Sequence, residues 1–160
     1  MTTIVSIIAA LGIGLVALIS LFIGGMRTKW PPVVDTVRRI NIRYLNPQQL
    51  KDAGQPGAYA ELLRHTGRTT GLVHETPLTI HPSDDGFVIG LVYGDRTQWL
   101  KNVLAAGRAE VVREGVTYEV DRPQVVPISE MDAYFSPADQ RISGLFGVSQ
   151  ALRLYHAEHD

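Results

Sequence analysis

The sequence of 160 residues contains no cysteine. Disulfide bonds, thiolate catalysis and cysteine-ligated metal centres are therefore excluded together. Basic residues are not in surplus, since the formal net charge is −1, whereas a general nucleic-acid-binding domain would carry a positive excess. The chain also lacks the sequence signatures of a P-loop, a Rossmann dinucleotide site, a zinc protease and a hydrolase nucleophile elbow. No activity can be read directly from a short catalytic motif.

The histidines do not predict a metal site. The chain has five of them, and His156 and His159 have the spacing of one helical turn near the C-terminus. A zinc site needs at least a third protein ligand, and none is apparent near this pair. We therefore predict no metal centre.

Charged residues are also absent from the first 26 residues. Residues 4–26 read IVSIIAALGIGLVALISLFIGGM, longer than the ~20 apolar residues that cross a hydrocarbon core as a helix. A cleaved signal peptide is the alternative. It would need a positive n-region, a shorter apolar core and a small-residue cleavage site. The sequence has none of these, so we predict a transmembrane anchor over residues 1–26.

The residues that follow the apolar run are mainly basic. They are Arg27, Lys29, Arg38, Arg39 and Arg43, and Asp35 is the only acidic residue before residue 50. Because basic flanks stay on the cytoplasmic side, we predict that the N-terminus lies outside and the following domain lies in the cytoplasm.

Residues 27–57 are predicted to be a basic amphipathic helix and a linker. Pro31-Pro32 breaks the membrane helix and fits the first turn of this second helix, which ends at Asn46-Pro47. Residues 47–57 have the composition of a loop. The apolar stripe of the second helix either lies along an anionic membrane surface or caps the core of the domain.

Residues 58–160 are predicted to form one α+β domain. The strands, separated by turn residues, are expected at 58–66, 76–81, 87–93, 109–113 and 116–122. Residues 87–93 are apolar on both faces, which predicts a central strand. Short antiparallel strands with one inserted helix favour a small closed or nearly closed barrel, and an open sheet is the alternative.

The inserted helix is predicted over residues 95–106. Asp95 is the expected N-cap, with Gln98 in the capping-box position and Gly107 as the stop. The C-terminal part is predicted to be helical, with starts at Ser129, Ser136 and Ser149.

Two segments have residues suited to anion binding. Residues 67–78 read GRTTGLVHETPL, in which Arg68 and two threonine hydroxyls could hold an anion; an ordinary polar hairpin loop is the alternative. Residues 93–99 join a strand to a helix N-terminus, where Arg96 adds charge. Trp99 there either stacks on a planar ring or packs in the core.

These residues together resemble the deazaflavin-dependent nitroreductase family. The resemblance covers roughly residues 40–126 and rests on GRTTGLVHETPL, DDGFVI and the following W-L-K-N-V-L-A run. It implies a split β-barrel, preceded here by the predicted transmembrane helix. It also implies the 8-hydroxy-5-deazaflavin coenzyme F-420, with FMN as the less favoured cofactor.

The resemblance further implies which residues contact the coenzyme. In the family, the glycine-flanked turn and the next strand approach its phosphate and acidic tail, and the strand-to-helix segment contacts the deazaflavin. Carried over, the implied residues are Arg68, Thr69, Thr70, His74, Thr76, Pro77, Tyr93, Arg96, Trp99 and Asn102. Two positions depart from the family pattern, because Thr69 and His74 stand where many members carry basic residues.

The implied activity is hydride transfer from reduced coenzyme to an electron-poor acceptor, such as a lipid-soluble quinone. No catalytic residue stands out, and Tyr44 or Tyr134 is either a proton donor or a packing residue. The alternative is a non-enzymatic barrel that binds lipid or a partner at the inner membrane face. Members of the superfamily often pair, which makes a homodimer an expectation for this chain.

Overall fold

The computed structural model describes the chain from residue 2 to residue 158, and its side chains from residue 4 onwards. Helix α1 spans Thr2–Arg27, and every side chain over residues 4–22 is exposed. By length and composition α1 can cross a membrane. An apolar helix whose side chains are exposed over most of its length is suited to a lipid environment.

The end of α1 is attached to the rest of the protein by two basic side chains. Arg27 Nη1 donates to the Gly144 carbonyl oxygen at 2.8 Å. Lys29 has a left-handed φ of 54°, and its Nζ donates to the carbonyl oxygens of Val92 at 2.9 Å and Phe146 at 3.1 Å. Partial burial lowers the pKa of Lys29. Both side chains that were predicted from charge to flank the membrane therefore also bind the domain.

The basic segment is helical for longer than predicted. Helix α2 spans Pro31–Ile40 with its prolines in the first turn, as predicted. The helix does not end at Asn46-Pro47, because a π-helical turn over Asn41–Leu45 leads into the short helix α3, Asn46–Gln49. Pro47 lies in the first turn of α3, where its missing N–H is not needed.

Seven strands form one antiparallel sheet in the order β2-β1-β5-β6-β7-β4-β3. The strands are β1 Glu61–Thr66, β2 Val73–Leu78, β3 His81–Ser83, β4 Gly86–Gly90, β5 Arg108–Arg113, β6 Val116–Pro127 and β7 Gln150–His156. The sheet curls into a half-barrel whose edge strands β2 and β3 do not pair with each other. The α+β split-barrel fold expected from the sequence is confirmed.

Strand β4 is buried on both faces, as its composition predicted. Phe87 and Ile89 point into the main core, which α4 closes with Leu100. Val88 points to the other side, where it is covered by Met131, which lies between two 3-10 turns, and by Ile128 and Tyr134 of those turns. The two turns are Ile128–Glu130 and Asp132–Tyr134. They replace the helix that was expected to start at Ser129.

The strand that the sequence reading missed is β7. A helical restart was expected at Ser149, but Gln150–His156 is extended and lies between β6 and β4. Leu152 and Leu154 alternate into the core, a period of two that the helix-favouring composition masked. His156 therefore lies on a strand and packs against Phe87, with ring centroids 5.3 Å apart. His159 lies outside the described residues.

The ends of two further strands differ from the predicted ones. The strand expected over residues 76–81 is divided between β2 and β3. Strand β6 continues past the predicted end at Arg122, because a bulge with a left-handed φ of 49° at that residue lets pairing resume at Gln124.

Two helices flank the sheet. Helix α4 spans Gln98–Ala106, and its N-cap is Thr97 and not Asp95, so the predicted capping box is wrong. Its stop is Gly107 with a φ of 69°, as predicted. Helix α5 spans Pro137–Phe146, and Ser136 caps it as predicted, accepting from the Asp139 backbone N–H at 3.2 Å.

The close approach of β4 to β7 at Gly86 gives a stability prediction. A Cβ at Gly86 would overlap the Leu154 carbonyl oxygen, whereas a Cβ at Gly144 of α5 would meet nothing within 4 Å. Gly86→Ala should lower the free energy of unfolding by about 1–3 kcal/mol, since backbone would have to move. The matched variant Gly144→Ala should leave it unchanged or raise it by up to about 1 kcal/mol. Denaturant unfolding in detergent measures both, and equal effects would contradict the packing described for β4.

Candidate functional site

A cavity of about 830 Å³ lies between the curled sheet, the start of α4 and the helical segment that follows α1. The helical segment supplies one wall, with Arg38, Asn41, Ile42 and Leu45 among its residues. The β1–β2 turn, strand β2 and the β4–α4 connection supply the others. The volume lies in the usual range of small-molecule and cofactor sites.

The residues implicated by the resemblance converge on this cavity, with one exception. Its lining includes Arg68, Thr69, Thr70, His74, Thr76, Pro77, Tyr93, Trp99 and Asn102. Arg96 is exposed and is not part of the wall, so the geometry does not favour the contact expected of it. Trp99 lines the cavity and packs against the main core, and its stacking on a planar ring stays a prediction. Tyr44 and Tyr134 do not line the cavity.

The turn between β1 and β2 owes its shape to two glycines. A Cβ on Gly67 would come within 2.8 Å of His74 Nε2, so this position has no room for a side chain. Gly71 has a left-handed φ of 68°, which glycine adopts without strain. The Gly71 N–H donates to the Gly67 carbonyl oxygen at 2.8 Å and closes the turn. Arg68 is thereby directed towards α4.

Two neutral amide oxygens hold the Arg68 side chain. Its Nη1 donates to Asn102 Oδ1 at 2.8 Å, and its Nη2 donates to Gln98 Oε1 at 2.9 Å. The Arg68 backbone N–H also donates to Asn102 Oδ1 at 3.3 Å. These bonds orient the guanidinium without neutralising its charge.

His65 is buried behind this arrangement and extends it. Because Asn102 Oδ1 accepts from Arg68, its Nδ2 must donate to His65 Nδ1, 3.2 Å away. The proton of the neutral ring is then on Nε2, which donates to Thr76 Oγ1 at 3.1 Å. Burial, together with the nearby His74, lowers the pKa of His65 to about 4. The ring is therefore neutral at physiological pH.

The charges around the cavity leave an excess of positive charge. Glu75 is neutralised by Arg64, whose Nε lies 2.8 Å from Glu75 Oε1. Arg38 is likewise paired, with Asp35 at 3.1 Å. Within residues 2–158, no carboxylate lies within salt-bridge distance of Arg68. A guanidinium that is oriented but not paired is suited to a phosphate or carboxylate group.

Thr97 adds an unsatisfied polar atom to the same wall. The residue is 5% exposed, and it lines the cavity at the N-terminus of α4. Its Oγ1 has no hydrogen-bond partner among the described residues. A buried hydroxyl without a partner costs stability, and a ligand in the cavity would satisfy it.

A polar contact joins the helical wall to the barrel. Asn41 Nδ2 donates to the Tyr93 hydroxyl oxygen, which joins the π-helical turn to the β4–α4 connection. Burial raises the pKa of Tyr93, and the hydrogen bond from Asn41 opposes this shift in part. The phenol is therefore protonated at neutral pH.

Sequence reasoning missed four of the polar residues in this wall. They are Asn41, His65, Thr97 and Gln98 as a partner of Arg68. No short motif includes them, since Asn41, His65 and Gln98 act through partners that are distant in sequence. The Thr97 hydroxyl has no partner among the described residues. Leu63, two residues before His65 and therefore on the same face of β1, is the one available signal, because a histidine on the buried face of a strand requires partners.

No family model matches the chain, and the comparison with curated proteins found no match. Solved structures do. A domain-swapped dimer matches with a TM-score of 0.51 and 14% identity, over 76% of this chain and 98% of the other. The chain has the split β-barrel fold. This likeness shows the fold alone.

Two further structures are similar at lower scores. An F-420-H2-dependent reductase matches with a TM-score of 0.47 and 13% identity, over 61% of this chain and 93% of the other. HutZ, the haem storage protein from Vibrio cholerae, matches with a TM-score of 0.44 and 11% identity, over 62% and 82%.

The buried neutral His65 predicts a pH dependence of stability. The ring has a pKa of 6.5 when unperturbed and about 4 in the fold. Between these values only the unfolded chain takes up the proton. The free energy of unfolding should therefore be highest above pH 6.5 and should decrease as the pH is lowered towards 4, by up to about 3 kcal/mol.

Denaturant unfolding from pH 4 to pH 8 should show this dependence of the free energy on pH, and His65→Gln should flatten it. His81→Gln leaves His65 in place and should retain it; a slope unaffected by His65→Gln would contradict the assignment.

Proposed function

We propose that the chain is a membrane-anchored oxidoreductase that uses a reduced deazaflavin coenzyme of the F-420 type and an electron-poor acceptor. The observation that carries the proposal is the unpaired Arg68 guanidinium, held by Asn102 and Gln98 at the wall of a large cavity. The resemblance of the motifs supplies the class of coenzyme.

The polar groups of the cavity fit a phosphorylated cofactor. Arg68 offers an oriented positive charge, and the Thr97 hydroxyl and the N-terminus of α4 offer further donors. In the proposal, Arg68, Thr69, Thr70, His74, Thr76 and Pro77 hold the phosphate and acidic tail. Tyr93, Trp99 and Asn102 are assigned to the ring side. Hydride transfer is the chemistry that such a coenzyme supplies when it is bound.

The chain's own residues position the reactants and exclude water. The apolar side chains of Ile42 and Leu45 in the helical wall, and Ile89 and Leu91 in the barrel wall, border the cavity. They would cover a ring system and limit solvent access to it. The protonated phenol of Tyr93 borders the same space, so it is the candidate proton source for a reduced acceptor.

The anchor suggests the class of acceptor. The wall of the cavity begins at α2, directly after the helix that can span a membrane. A lipid-soluble quinone-like ring would reach such a cavity from the bilayer. The basic residues that follow α1 favour a cytoplasmic location for the domain.

In the proposed arrangement residues 1–26 form the anchor, residues 27–57 form the membrane-proximal segment and residues 58–160 form the barrel. A homodimer is compatible with the swapped dimer among the structural neighbours.

Ligand binding tests the proposal. Titration with oxidised F-420, followed by coenzyme fluorescence, should show binding in the micromolar range. Arg68→Ala should weaken it by about tenfold or more, because a charge-assisted contact is lost. Thr97→Val should weaken it by about three- to tenfold and yet leave the free protein at least as stable, because its hydroxyl has no partner to lose.

Arg108→Ala is the matched control, since Arg108 is exposed at the start of β5 and does not line the cavity. It should bind as the wild type does. Absence of binding at tens of micromolar, with FMN also negative, would end the proposal. Co-purified lipid without coenzyme in native mass spectrometry would favour a lipid-binding module in its place.

Protease treatment of cells tests the location. In intact right-side-out cells the domain should be protected, because the basic flank of α1 retains it in the cytoplasm. Inverted membrane vesicles, which expose the cytoplasmic face, should allow its digestion. Digestion in intact cells would reverse the proposed orientation.

A further inference from the structure

Helix α5, Pro137–Phe146, buries none of its residues. None of its side chains belongs to the three hydrophobic clusters of the domain. Ile142 is 48% exposed and Leu145 is 46% exposed. These two residues and Phe146 share one face, since they are three and four positions apart in a helix. The apolar face of α5 is therefore not the face by which the helix joins the barrel.

Polar contacts attach α5 to the rest of the protein. Gln140 Nε2 donates to the carbonyl oxygens of Asp132 at 2.8 Å and Phe135 at 3.2 Å. The Gly144 carbonyl oxygen accepts from Arg27 at 2.8 Å. A surface helix of a soluble domain normally turns its apolar stripe to the core and its polar side to water. The arrangement of α5 is the reverse of this.

The apolar face continues directly into α1. The Phe146 ring packs edge-on against Phe22 of α1, with centroids 5.9 Å apart. Phe22 belongs to the uncharged run that can span a membrane. Arg27 ends α1, and the exposed Arg141 directly precedes Ile142 on α5. Cations at this level fit the headgroups of an anionic leaflet.

We infer that the Ile142–Leu145–Phe146 face of α5 lies in the membrane interface as a second lipid contact, beside the end of α1. The occupant is lipid because this face is continuous with the helix that would be surrounded by lipid. The inference rests on the anchor in the proposed function. It adds a defined orientation of the domain. In this orientation α5 and the end of α1 both lie at the bilayer surface. Lys29 donates to the carbonyl oxygen of Val92 in the cavity wall, so this part of the cavity lies close to the bilayer surface too.

Spin labels in lipid nanodiscs test this inference. The chain has no cysteine, so Ile142→Cys and Leu145→Cys each give one labelling site in the full chain. Oxygen partitions into lipid and a nickel chelate stays in water. Labels at both sites should therefore relax more with oxygen than with the chelate. Leu11→Cys in α1 is the lipid-exposed control, and Thr117→Cys, exposed on β6, is the water-exposed control.

Each result decides the matter. Labels at positions 142 and 145 that behave like the label at Thr117 would overturn the inference. Protection from both reagents would also overturn it, because a second protein copy would then cover the face. A lipid-exposed label at Leu11 with water-exposed labels on α5 would leave the anchor intact and refute the α5 contact alone. A water-exposed label at Leu11 would refute the anchor and the α5 contact together, whereas F-420 titration tests the coenzyme site independently.

Discussion

The ligand chemistry of the cavity depends on how the Arg68 guanidinium is held. Asn102 and Gln98 bind it through neutral oxygens, so the side chain is fixed in place while its charge stays available. A carboxylate partner would orient it equally well but would cancel the charge that an anionic ligand needs. The neutral His65 supports the arrangement from behind, since its Nδ1 accepts from Asn102. Protonation of His65 would turn that acceptor into a donor and disrupt the orientation of Asn102.

The same wall is connected to the membrane-facing part of the chain. Lys29 binds the carbonyl oxygens of Val92 and Phe146, and Asn41 binds the Tyr93 hydroxyl. The residues that leave the predicted membrane helix therefore help to shape the cavity, and they do not act as a loose tether. The helix that continues past the proline at position 47 contributes as well, since Asn46 and Gln49 of α3 line the cavity.

Local signals in the sequence predicted local features of the fold. The stop at Gly107, the cap at Ser136 and the two buried faces of residues 87–90 follow from short-range sterics and composition. Strand β7 was mispredicted because its pairing with β4 and β6 overrides a helical propensity. In the cavity, the Arg68 turn was readable from its glycines. The supporting contacts of His65 could not be predicted, because they join residues more than ten positions apart. The unpartnered hydroxyl of Thr97 could not be predicted either, because it reflects an absent contact.

A structure of the chain with oxidised F-420 bound would test the central claim most directly. The account predicts the phosphate or acidic tail of the coenzyme within hydrogen-bond distance of Arg68, with the Asn102 and Gln98 contacts retained and the Thr97 hydroxyl satisfied by the ligand. Coenzyme bound away from this cavity, or an Arg68 side chain released into solvent with no ligand contact, would contradict it.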